Sequence, residues 1–245
     1  MTDRVPAREP VRLALQGVEG VDDARFPVRR IYCVGRNFAD HAREMGAAAP
    51  ASKVDRGTPI FFLKPADALV TDGIVPYPPG TADLQHEVEL VVALGRDAPA
   101  GVLSRDDADA LVLGYGIGLD LTRRDLQAAA KAKGLPWDTG KSFDACAVAG
   151  DLWTKEKVGD LGALGLSLRI NGELRQQGRF ADLIWDVPDI LVELSRLYAL
   201  KAGDLIYMGT PAGVAPLQPG DQFIATMEGA DLRLKGTIVG PGLTG

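Results

Sequence analysis

Cysteine and histidine are scarce, with two of each in 245 residues. Cys33 and Cys146 lie far apart with no C-x-x-C spacing, which argues against a disulfide framework or a thiolate zinc site and leaves two buried thiols. An excess of basic residues is missing as well. The formal charge of -6 supplies no field for nucleic acid or an anionic membrane. No stretch approaches the ~20 apolar residues of a membrane span. The N-terminal "MTDRVPAREPVRLALQG" mixes charge and proline and has no apolar signal core. These absences predict a cytoplasmic protein whose partner is a small molecule.

What is present is a chain of ordinary hydrophobic content, 46%, punctuated by 29 glycines and 16 prolines. Residues 1–28 read as a lead-in segment in which "VRLALQG" can pair as an edge strand, and 29–245 as one catalytic domain. "RRIYCVG" is a β-branched strand, and "NFADHAREMG" is a short helix closed by Gly46. "PIFFLKP" is a strand between prolines. Ser104 with Asp107 caps a helix that leads into the Gly-rich strand "GYGIGLDLT". "RRDLQAAAKAKG" is helical, Asn171-Gly172 marks a hairpin, and "DVPDILVELSRLYAL" is an amphipathic helix. Many short strands against few helices predict a β-rich α+β fold rather than a βαβ repeat. "GYGIG" lacks the following helix start that a phosphate-binding loop requires.

"LQHEVELVVALG" places Glu87 and Glu89 two apart in a strand of Val, Leu and Ala, so both project from one face. An ordinary E-x-E pair faces solvent. Here the apolar neighbours leave little solvated surface, and Asp120 closes a second apolar strand. A hard divalent cation resolves both the repulsion and the desolvation of such carboxylates. Three oxygen donors suit Mg²⁺, Mn²⁺ or Ca²⁺ rather than zinc.

"IYCVGRNFADHAREMG", "FFLKPADALV", "HEVELVVALG", "GLDLTRRDLQ", "GKSFD", "NGELRQQG" and "LKAGDLIYMGTPAGVAPLQPGD", in that order, resemble the fumarylacetoacetate hydrolase family. The likeness spans roughly residues 28 to 238 and is strongest to small members acting on acylpyruvates and oxaloacetate. It implies a mixed β-sandwich roll, usually a homodimer, with Mg²⁺ or Mn²⁺ on Glu87, Glu89 and Asp120. It also implies a catalytic His41/Glu44 pair on a lid helix and a catalytic Lys141. Arg124, Gln127 and Thr210 match positions that hold substrate in relatives, as do Arg36 and Lys64 more loosely. Leu119 departs from the family, where an asparagine commonly precedes the metal aspartate.

His41 and Glu44, three apart on a helix, share a face, so the carboxylate can orient the imidazole as a general base. His86, on the opposite side of its strand from Glu87, reads as structural. An ammonium at Lys141 can stabilise an enolate, and Arg124 can fork onto a substrate carboxylate. The expected activity is metal-dependent C–C hydrolysis of a 2,4-dioxo acid, with fumarylpyruvate as the sharpest substrate. Oxaloacetate decarboxylation or enol–keto tautomerisation is the alternative, because the same 2-oxo acid head would chelate the ion. A non-catalytic dicarboxylate sensor is the reading from another class.

Overall fold

A computed structural model describes residues 8–44, 46 and 55–240. Its centre is a ten-stranded mixed sheet, and the residues predicted to pair carboxylates lie in its middle. Val88–Leu94 runs antiparallel to Val112–Asp120 on one side and to Asp204–Tyr207 on the other. Beyond Asp204–Tyr207 come Arg30–Gly35, in parallel, and then the edge strand Ile60–Lys64. On the far side Val112–Asp120 pairs with Leu152–Thr154, which in turn pairs with Arg12–Gln16. The edge there is taken by Arg25–Pro27, so "VRLALQG" sits one strand in from the position expected of it.

Val88–Leu94 is buried throughout, as its near-continuous apolar sequence demands. Leu90 and Val92 join the main core, while Val91 and Ala93 pack on the opposite face with Ile31, Cys33, Leu205 and Tyr207. The main core is closed by a five-stranded sheet in the order Glu173–Arg179, Gly165–Ile170, Gln222–Glu228, Leu232–Val239, Ile74–Pro76. Its first two strands form the predicted hairpin. Asn171 (φ 51°) and Gly172 (φ 82°) both take the left-handed conformation that a tight two-residue turn requires. The curled, β-rich α+β architecture is the one expected.

The glycines of "GYGIG" serve close packing rather than a ligand. A Cβ on Gly118 would lie 2.5 Å from the Tyr207 ring and 2.7 Å from Val148 O. The Tyr207 hydroxyl passes over that glycine to donate to Val148 O at 2.9 Å. Both cysteines are free and buried. Among the described residues, no helix is long and apolar enough to cross a membrane.

A small third sheet steers the chain into the centre. Leu84–His86 pairs with Thr122–Arg123 and Ala215–Pro216, whereas Val88–Leu94, one residue further on, belongs to the large sheet. Glu87 stands at the switch. Its carbonyl accepts from Asp120 N at 2.8 Å, which fastens the two acidic segments side by side.

Candidate active site

One carboxylate oxygen from each of Glu87, Glu89 and Asp120 lies within 4.8 Å of the others, and all three residues are buried. Neighbouring cations already balance part of this charge. Lys141 Nζ donates to Glu87 Oε2, Asp120 Oδ2 and Thr122 Oγ1, each at 2.7 Å. An ammonium has three protons, so Lys141 has spent all of them. Lys64 Nζ stands 2.7 Å from Asp120 Oδ1, an ion pair without hydrogen-bond alignment, and donates to Leu121 O and Lys141 O. Arg124 closes the group from the cavity side, donating to Glu87 Oε1, Gln85 Oε1 and Gln127 Oε1.

The acids respond differently to this setting. Burial alone would raise Glu87, but Lys141 and then Arg124 outweigh it and hold the carboxyl well below its usual range. Glu89 has no cation bound to it among the described residues. Burial, then Asp120 and Glu87, push its carboxyl well above the ordinary value. Its partner is the Gly209 N–H at 2.7 Å. Gly209 has φ 92°, and a Cβ there would meet Asn37 Cβ at 2.7 Å, so only glycine brings this amide to Glu89.

His41 and Glu44 sit on the short helix Ala39–Glu44. His41 Nδ1 lies 3.1 Å from Glu44 Oε2, and Glu44 also accepts from Gly213 N, at 3.0 Å to Oε1. The helix is thereby tied to the "GTPAG" loop. Its base is pinned by buried Asn37, which donates to Trp185 O and Met208 O and accepts from Trp185 N.

Thr210 in the same loop is held by Gln176. Gln176 Oε1 accepts from Val88 N at 3.1 Å, and Gln176 Nε2 donates to Pro211 O at 2.9 Å. A backbone donor and a backbone acceptor thus fix the amide's orientation. Thr210 Oγ1, 2.8 Å from Nε2, must therefore accept, and its own proton is free to point elsewhere. By the same logic His86 Nδ1, 2.8 Å from Oε1, carries a proton. His86 is fully buried, in keeping with a structural residue.

One cavity is lined by Arg36, His41, Glu87, Glu89, Arg124, Gln127, Lys141 and Thr210, together with Lys131, Phe62 and Trp137. The family model described as Fumarylacetoacetate (FAA) hydrolase C-terminal matches residues 30–239. The chain belongs to that family. It is 42% identical over 202 residues to the mitochondrial oxaloacetate tautomerase FAHD1 of Bos taurus, covering 82% of this chain and 88% of the relative. Oxaloacetate tautomerase YcgM of Escherichia coli (strain K12) is 39% identical over 209 residues, covering 84% and 92%. Among solved structures, fumarylpyruvate hydrolase from Pseudomonas aeruginosa, in complex with Mn²⁺ and pyruvate, superposes with a TM-score of 0.88 at 38% identity. That match covers 97% of this chain and 99% of the other.

In this family member the residues singled out from sequence converge. Asp120 lies beneath the cavity and Glu44 behind His41, while the other eight line the wall. Lys64 departs from the looser expectation that it holds substrate: it is not among the lining residues, and its ammonium is occupied by Asp120 and two carbonyls. Leu119, the departure from the family pattern, packs fully buried in the main core. Asp120 is instead oriented by Lys64 and Lys141. Lys131 was missed. The available signal was helical spacing, since Arg124, Gln127 and Lys131 at i, i+3 and i+7 share one face of Arg124–Ala132.

The donor set fits a hard divalent ion. Three buried carboxylates converge, and Glu89 lacks a cationic partner among the described residues.

Proposed function

We propose that this chain is a divalent-metal-dependent enzyme acting on small 2-oxo acids, with oxaloacetate enol–keto tautomerisation as its activity. The observation that carries the reading is the buried Glu87/Glu89/Asp120 group opening onto a cavity walled by cations and by His41. The sequence alone ranked acylpyruvate hydrolysis first. The curated relatives at about 40% identity, tautomerases of oxaloacetate among them, favour the alternative instead.

Mg²⁺ or Mn²⁺ held by the three carboxylates would supply positive charge for the oxyanion that develops on the substrate. His41 moves the proton. Glu44 accepts from Nδ1 and so leaves Nε2 with the lone pair that takes a proton from C3 of the keto acid. Delivering that proton to the 2-oxo oxygen gives the enol, and the reverse transfer from enol hydroxyl to C3 gives the keto acid, in neither case with a water nucleophile. Lys141 contributes charge rather than a hydrogen bond, because its three protons are engaged. Arg124 and the Thr210 hydroxyl present donors to the carboxylate beside the 2-oxo group.

Acylpyruvate hydrolysis is the second reading. It is favoured by the fumarylpyruvate hydrolase structure, whose match over 97% of the chain must extend beyond the family's residues 30–239. In that case His41 takes a proton from water, the hydroxide attacks the distal carbonyl, and the C–C bond breaks to leave pyruvate as its enolate. The test supplies purified protein and Mn²⁺ with enol-oxaloacetate and, separately, with fumarylpyruvate. Accelerated ketonisation that EDTA abolishes supports the first reading. Fumarate and pyruvate formed with no effect on oxaloacetate would replace it with the second.

A further inference from the structure

Four cations line the cavity, and among the described residues two of them are committed to carboxylates. Arg124 and Lys141 are bound to Glu87, and Lys141 also to Asp120. Arg36 and Lys131 have no carboxylate partner among the described residues, although both line the same wall. Arg36 sits at φ 60°, a left-handed conformation rare for a side chain of its size, and its Nε is buried without a hydrogen-bond partner. Lys131 lies with its ammonium 5.0 Å from the centre of the Trp137 ring. Burial, then Arg124 and Arg36, lower the Lys131 ammonium to about 8. A half-buried, mutually repelling pair of cations is unfavourable for the empty protein and favourable for an anion placed between them.

We propose that Lys131 and Arg36 form a second anion subsite that takes the distal carboxylate of the substrate, which makes the enzyme selective for 2-oxo dicarboxylates over 2-oxo monocarboxylates. The subsite rests on the 2-oxo acid reading above. Its two cations line the same cavity as Glu87, Glu89 and Lys141, one from the helix Arg124–Ala132 and one from the residue following Arg30–Gly35. Arg124 and Lys131, seven apart, present two cations along one helix face, so a substrate with a carboxylate at each end meets one at each. The stable pair 2-oxoglutarate and 2-oxovalerate differs in that distal group and serves as the probe.

Calorimetric titration of the Mn²⁺-supplemented protein should show 2-oxoglutarate binding more tightly than 2-oxovalerate. Lys131→Met should reduce that ratio about tenfold or more, as the loss of one charge-assisted contact implies. Lys131→Arg should retain most of it, and Arg36→Gln should reduce it as Lys131→Met does. An unchanged ratio in Lys131→Met, or no preference in the native protein, overturns the subsite. Selective binding without turnover of oxaloacetate or fumarylpyruvate would instead overturn the catalytic reading and leave the subsite standing.

Discussion

Lys141 Nζ donates to Asp120 Oδ2 at 2.7 Å with both side chains buried, so an ammonium occupies one flank of the Glu87/Glu89/Asp120 group. Protein cations therefore neutralise part of the charge at this site, and the proposed metal ion would supply the rest. Lys141→Met leaves Asp120 and Glu87 short of a partner. The metal-free protein should lose about 3–5 kcal/mol of stability, the typical result of breaking a buried pair. Added Mn²⁺ should restore part of it, read as unfolding midpoints with and without EDTA.

Glu89→Gln separates metal binding from folding. The native carboxyl is pushed up by burial beside Asp120 and Glu87, so a neutral amide is a close substitute, and its oxygen can still accept from Gly209 N. Without metal the variant's stability should stay within about 0.5 kcal/mol of the native protein. Native protein at a hundredfold excess of Mn²⁺ over Kd gains about 2.7 kcal/mol. The variant should show little of that gain. A full gain would exclude Glu89 as a ligand.

His41→Ala should lower kcat by about 10²–10⁴, the usual contribution of a positioned acid–base group. Mn²⁺ affinity should be retained, because His41 binds Glu44 and none of the three carboxylates. Loss of bound metal in that variant would contradict the role assigned.

Gln176→Glu inverts the donor that sets Thr210. A carboxylate in this position cannot donate, so Thr210 must turn its own proton towards residue 176 and away from the cavity. KM should rise about tenfold with kcat nearly kept, as expected when a substrate-holding hydrogen bond is lost. Thr210→Val should give a similar rise, and the double variant little more. Full additivity would show that the two act separately.

Lys131 should give the site a pH dependence at the alkaline end. Its ammonium is lowered to about 8 by burial, with Arg124, Arg36 and Lys141 adding repulsion and Glu87 opposing it. Below that value the charge is present and a dicarboxylate is held. Above it the charge is lost, so KM for oxaloacetate should climb from pH 8 upwards in the native protein and stay flatter in Lys131→Met. The sign for stability is the reverse: between about 8 and 10.5 the unfolded chain holds the extra proton, so this residue's contribution to stability increases with pH. A KM that is level through this range would remove Lys131 from substrate binding.

Much of this was legible in the chain. Two glutamates in an apolar strand cannot be left unneutralised, whatever the tertiary fold around them. The Asn171-Gly172 turn, the Ser104 cap and the short helix bearing His41 and Glu44 are local, set by residues within a few positions of one another. The order of motifs placed the chain in its family.

Sequence determined which carboxylates and which His–Glu pair the candidate site contains and the elements that carry them, because strand and helix periods dictate which side chains share a face. Only the tertiary structure decided which long-range partners meet them. Lys64 reaches Asp120 from 56 residues away and Gln176 reaches Val88 from 88, contacts with no local spacing to reveal them. Lys131 became a member of the cavity wall once its helix was docked. Hydrogen bonds and ion pairs are short-ranged in space but indifferent to chain separation, so their pairing is settled by how the sheets close on one another.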